Sequence, residues 1–241
     1  MVKVEVCAES VKAAITARQG GAYRVEFCYN LAEGGTTQLR EQIAEARKQL
    51  PEIKLYPIIR PRGGDFFYSA LEYETMRQDV IFCGEVGCDG VVFGILNSDR
   101  SVDMDRCSIL VGLAHRYGME ATFHRAFDVC SDRTKALEDI ISIGFERILT
   151  SGGQSTALEG VEELRKLIVQ ANDRIVVMPG SGVTPENVGE IITKTGCREI
   201  HGTFRNRCSA MKTTKPAWNH YDLWHTDIDK VKNVVNIAKQ F

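Results

Sequence analysis

The chain has 241 residues, with 30 lysines and arginines against 32 acids, a formal charge of −2 and 44% apolar residues. That balance gives no global field for nucleic acid or an acidic membrane, and charges and glycines break every apolar run before it reaches bilayer length. The eight cysteines sit in a long chain whose start enters a strand pattern without a charged leader, so reduced thiols in a cytoplasmic protein are expected rather than a disulfide framework.

Strand-like runs fall near 2–7, 24–28, 54–60, 90–94, 120–124, 147–151, 174–179 and 199–202. Helical periodicity fills the gaps at 11–19, 39–50, 72–84, 104–116, 134–143, 158–170 and 185–194. The glycines of Gly20-Gly21-Ala22, Gly87-Cys88-Asp89, Gly144-Phe145-Glu146 and Gly196-Cys197-Arg198 suit the left-handed position that closes a helix before the next strand. Thr184-Pro185 reads as an N-cap followed by proline at the first helical position.

This repeat predicts an α/β fold, a (β/α)8 TIM barrel formed as one domain over 1–241, with binding loops at the carboxyl ends of the strands. A doubly wound sheet is the alternative, but neither GxGxxG nor GxxxxGK[ST] follows the first strand. After Gly202 the rhythm changes. Residues 203–226 read as an arm or lid, and Thr226 is expected to cap a closing helix in a capping box with Asp229.

Strand side chains alternate faces. If Val4, Val6, Val25, Phe27, Ile59 and Phe123 face the helices, then Glu5, Cys7, Glu26, Cys28, Arg60, Thr122, His124 and His201 point into the barrel. Carboxylates are costly to bury without a partner, so this inward set is a candidate site. Glu26 and Glu5 are candidate acids or bases, and His124 or His201 could share their proton. Asp128 could orient His124, pair with an arginine or cap a turn, while Arg125, next to His124, is expected to face outward. A purely structural network that fixes strand register is the competing reading.

Arg60 and Arg62 flank Pro61 after the third strand and suit a small anion, unless Arg62 simply pairs with Asp65 to brace its loop. Ser151, Gly152 and Gly153 after the sixth strand, and Gly180 and Gly182 after the seventh, offer backbone N–H groups to the same anion or serve turns alone. Cys7 and Cys28 end neighbouring strands. They could hold Cu(I), with His201 as a further ligand, or pack as small core residues.

Glu5-Val6-Cys7, Arg24 through Cys28, Glu33-Gly34-Gly35, Arg60 through Phe66, Gly90 through Gly94, Thr122 through Asp128, Leu149 through Gly153 and Glu199-Ile200-His201 together resemble the CutC family from residue 2 to about 204. That resemblance implies an eight-stranded barrel, a cytoplasmic homodimer and a link to copper homeostasis, with Cys7 and Cys28 as the thiol pair for Cu(I). The alternative function is an enzyme acting on a small anionic metabolite by acid–base, hydrolase or lyase chemistry.

Overall fold

A computed structural model describes residues 1–209 and 222–241. Its barrel strands are β1 (Lys3–Ala8), β2 (Arg24–Phe27), β3 (Lys54–Pro57), β4 (Gly90–Phe93), β5 (Glu120–Phe123), β6 (Arg147–Thr150), β7 (Val176–Pro179) and β8 (Glu199–Gly202). The helices are α1 (Val11–Gln19), α2 (Arg40–Gln49), α3 (Ala70–Val86), α4 (Met104–Arg116), α5 (Arg133–Ile143), α6 (Val161–Ala171), α7 (Val188–Thr195) and α8 (Ile228–Ala238). Parallel ladders build two arcs, β3-β2-β1-β8 and β4-β5-β6-β7. One seam between them is bridged by Ile58 and Val92, where Ile59 N–H donates to the Val92 carbonyl at 2.8 Å. At the other seam β7 lies beside β8, closing the TIM barrel.

Local chemistry sets the helix starts. Ser10, Asp103 and Asp132 side chains accept the N–H groups of Ala13, Arg106 and Lys135, and Ser69 with Glu72 forms a reciprocal capping box on α3. Gly87, Gly144 and Gly196 close helices in the left-handed region, as expected. At the end of α1 that role falls to Gly21 (φ 89°), because Gly20 is right-handed. Thr184 opens its turn through Glu186 N–H, but regular helix begins only at Val188. The closing helix is capped by Asp227, whose side chain accepts from Asp229 and Lys230 N–H, and not by Thr226.

The expected arm over 203–226 falls partly outside the described residues. Its described ends form an antiparallel pair, β9 (Arg205–Ser209) with β10 (Asp222–Thr226). No described helix is long and apolar enough to cross a membrane.

Alternation divides the strand side chains into two layers. Val4, Val6, Val25, Phe27, Ile59 and Phe123 are buried between strands and helices. Inside the barrel a smaller apolar cluster joins Cys7, Cys28, Tyr56, Ile58 and Val92. Below it, the first residues of β2, β5, β6 and β8 form an ionic floor. Arg24 pairs with both Glu5 and Glu199, and Arg147 pairs with Glu199 at 2.7 Å and Glu120 at 3.0 Å. Tyr56 donates its hydroxyl to Glu120 at 2.6 Å. Burying these charges costs hydration free energy that mutual pairing offsets, so the network fixes register more than it adds stability.

Candidate metal centre and ligand cavity

The site sits on that floor. Register places Cys7 opposite Glu26 and Glu5 opposite His201. Glu5 therefore receives Arg24 on one oxygen and bonds His201 Nδ1 with the other at 2.7 Å. The opposite ring nitrogen, Nε2, lies 3.8 Å from a Glu26 oxygen. Cys7 and Cys28 Sγ are 3.5 Å apart. Ligand atoms of Cys7, Glu26 and His201 all lie within 4.8 Å of one another, a cluster that can hold a metal ion. All four side chains are buried.

Electrostatics separate these groups. Burial alone would raise the Glu5 carboxyl, but Arg24 and His201 outweigh it and hold it down to about 2. Glu26 has no arginine paired to it among the described residues; burial lifts it above the ordinary carboxylate range, with the His201 interaction opposing. Burial opposes the charged form of His201, yet Glu26 and Glu5 together raise it. The Cys7 thiol is held well above its usual range by its bond to Cys28, by burial and by Glu26. Without a metal, then, Cys7 is a thiol.

A cavity of about 470 Å³ opens above this cluster, lined by Glu26, His124 and His201 and by the loops after β7 and β8. Arg60 reaches its wall, with its guanidinium donating to the carbonyls of Glu33, Gly35 and Gly64 at 2.7, 2.9 and 2.8 Å. Gly180 lacks a side chain where one would crowd the site: a Cβ there would stand 2.5 Å from Leu149 and 3.2 Å from His201. Gly182 lines the rim in the left-handed region (φ 68°).

Several expected members are placed differently. Arg62 is not in the cavity lining; it pairs with Asp65 at 2.9 Å and Glu72 at 2.6 Å, and so braces its own loop. Ser151, Gly152 and Gly153 present no free amide nest to an anion. Asp128 already occupies it, accepting from Ser151 N–H and Gly153 N–H at 3.0 Å each, while Gly152 N–H donates to Thr150 Oγ1. Asp128 makes no bond to His124 and so does not orient it; its carboxylate braces the loop after β6 and pairs with Arg125. Burial, with Arg60 nearby, pushes His124 down to about 3, so it is neutral at pH 7 and a weak proton acceptor. Arg125, expected outside, lines the rim and pairs with Asp128 at 2.7 Å.

Sequence reasoning missed Arg24, Glu120, Arg147 and Glu199 as members of the interior set. For Arg24, Glu120 and Glu199 the signal was present, since each lies two residues before an assigned inward position in the same strand; for Arg147 no inward position had been assigned in its strand.

Comparison with known proteins agrees with this architecture. The CutC family model matches residues 2–206. A family protein CutC of Xylella fastidiosa is 45% identical over 242 residues, covering 98% of this chain and 89% of that one. The copper homeostasis protein cutC homolog of Homo sapiens is 42% identical over 246 residues, with the same 98% and 89% coverage. The crystal structure of CutC from Streptococcus agalactiae superposes with a TM-score of 0.80 at 37% identity, over 84% of this chain and 99% of that one. Phosphoribosyl anthranilate isomerase from Thermotoga maritima, at 17% identity and a TM-score of 0.62 over the whole of both chains, shares the barrel alone. The chain belongs to the CutC family.

Proposed function

We propose that the protein binds Cu(I) between Cys7 and Cys28, with His201 Nε2 as a third ligand, and that it serves copper homeostasis. The observation that carries this reading is the 3.5 Å approach of two buried sulfurs beside an imidazole. Cu(I) is a soft ion that accepts thiolate ligands at low coordination number. The bond from His201 Nδ1 to Glu5 supports the role, because a carboxylate there fixes the tautomer and leaves Nε2 free to ligate. Binding would displace the thiol proton of Cys7, so affinity depends on proton release as well as on geometry. The name carried by the human relative points the same way.

The reading includes a cytoplasmic setting, where thiols stay reduced; the seven cysteines whose side chains are described form no disulfide. It also includes a homodimer, the assembly that the family resemblance implies.

The test is anaerobic titration with Cu(I) against a chromogenic chelator. One tightly held ion per chain is expected, lost in the Cys7→Ser/Cys28→Ser double variant and weakened in His201→Gln. Unchanged stoichiometry and affinity in the double variant would remove this site.

A further inference from the structure

Two residues that line the cavity each carry a buried nitrogen without a hydrogen-bond partner of good geometry among the described residues: His124 Nε2 and Arg60 Nε. His124 Nδ1 accepts the Ala126 N–H at 3.3 Å, so the hydrogen of the neutral ring belongs on Nε2. The ring is gripped on both sides. Phe66 meets it edge-on at 4.9 Å between centroids, and Gly94 packs so closely that a Cβ there would come 2.8 Å from Nδ1. The same Phe66 ring lies 4.9 Å from the Arg60 guanidinium carbon.

Leaving a buried donor without an acceptor forfeits the hydration it had in water with nothing in return. Arg60 adds a charge, and it forms no ion pair among the described residues: its other hydrogens go to three backbone carbonyls. Tyr68, outside the cavity lining, directs its hydroxyl at the Arg60 side chain without reaching good hydrogen-bond geometry, so it satisfies Arg60 only in part. Of the cations around the cavity, Arg125 and Arg205 are paired with Asp128 and Glu9, which leaves Arg60 and Lys230 beside the carboxylates Glu26 and Glu186. The rest of the wall is largely apolar, from Leu31, Ile58, Phe66, Leu149, Val183 and Phe204. A volume of 470 Å³ is far more than the ~10–15 Å³ that a single water needs. A metal ion held by the cysteines uses little of it.

We propose that this cavity binds a small organic oxyanion, a carboxylate or a phosphate monoester with an apolar body, whose oxygen accepts from His124 Nε2–H beside the unpaired Arg60. This site goes beyond the Cu(I) reading and uses different side chains. His124 acts in it as a fixed neutral donor.

The test is proton–nitrogen correlation NMR of the full chain labelled at its histidine rings, titrated separately with benzoate, pyruvate, phenyl phosphate, inorganic phosphate and the uncharged benzamide. A saturable shift of the His124 ring N–H with at least one organic anion is expected, with benzamide weaker by roughly tenfold or more. Response to benzoate or pyruvate assigns a carboxylate, and response to phenyl phosphate assigns a phosphate ester. Arg60→Gln should weaken binding by roughly tenfold or more, and Arg62→Gln should leave it unchanged. Should Arg60→Gln fail to fold, Arg60→Lys, which keeps the charge without the planar fork, carries the comparison. Silence of His124 toward every organic anion, a response to inorganic phosphate alone, equal binding of benzamide, or an undiminished response in the Arg60 variant would each overturn the proposal. Cys7→Ser/Cys28→Ser should bind the anion normally, which separates this outcome from failure of the copper site.

Discussion

Glu5 Oε1 lies 2.7 Å from His201 Nδ1, across the junction of the first and last barrel strands, while its other oxygen takes the Arg24 guanidinium. One carboxylate thus joins the ionic floor to the imidazole above it. The arrangement ties a structural network to a candidate ligand, and it exposes that ligand to changes made below it.

Replacing Glu5 with glutamine tests the connection. Metal affinity is expected to fall roughly 10-fold to 100-fold, the usual consequence of losing the group that orients a ligating histidine. Stability should fall by about 3 kcal/mol, since Arg24 keeps Glu199 but loses one of its two buried counter-charges. Chelator competition and urea unfolding read the two effects separately. Unaltered Cu(I) affinity in a folded variant would show that His201 does not ligate.

Gly180→Ala probes the packing above the floor. Its new methyl would collide with Leu149 and press on His201, so a stability loss of about 1–3 kcal/mol is expected, with weaker Cu(I) binding alongside it. A variant as stable as the parent, with full affinity, would mean that the site has slack the packing does not show.

Asp128→Asn separates bracing from binding. The carboxylate organises the loop after β6 through Ser151 N–H and Gly153 N–H and through Arg125. Losing its charge should cost about 2 kcal/mol and leave Cu(I) affinity intact. A parallel fall in affinity would put Asp128 inside the metal site.

Acid should destabilise the fold through His124. Its folded-state value of about 3 lies below the ordinary 6.5, so below pH 6.5 the unfolded chain binds a proton that the folded chain refuses. Stability therefore drops as the pH falls from 6.5 toward 3, by about 2 kcal/mol at pH 5 from this group. His201 acts in the opposite window: its value is raised, so its contribution is complete below 6.5 and fades as the pH rises through its folded-state value. Urea unfolding at a series of pH values checks the first slope, which should flatten in His124→Gln. An identical slope in that variant would assign the acid sensitivity elsewhere.

The barrel was legible because its signals repeat. Strand and helix patterns alternated along the chain, several strands carried a period of two and half of the eight helix ends carried a glycine, so the order of elements and the inward faces of Glu5, Cys7, Glu26, Cys28 and His201 could be read from residues alone. Loop contacts had no such periodicity. Nothing in the spacing of Asp128 and Gly153 shows that one fills the amide nest of the other, and although the Arg62–Asp65 brace was one of the two readings open from sequence, the second partner, Glu72, was not. His124 was read correctly as inward, but its neutral state depends on the depth of burial and the approach of Arg60, which a strand pattern does not encode.

Copper K-edge X-ray absorption of anaerobically loaded protein tests the central claim most directly. The account predicts a Cu(I) edge, two sulfur scatterers and one nitrogen or oxygen scatterer per copper, with both sulfurs lost in Cys7→Ser/Cys28→Ser. A first shell of nitrogen and oxygen alone, or a sulfur shell that survives in the double variant, would contradict it.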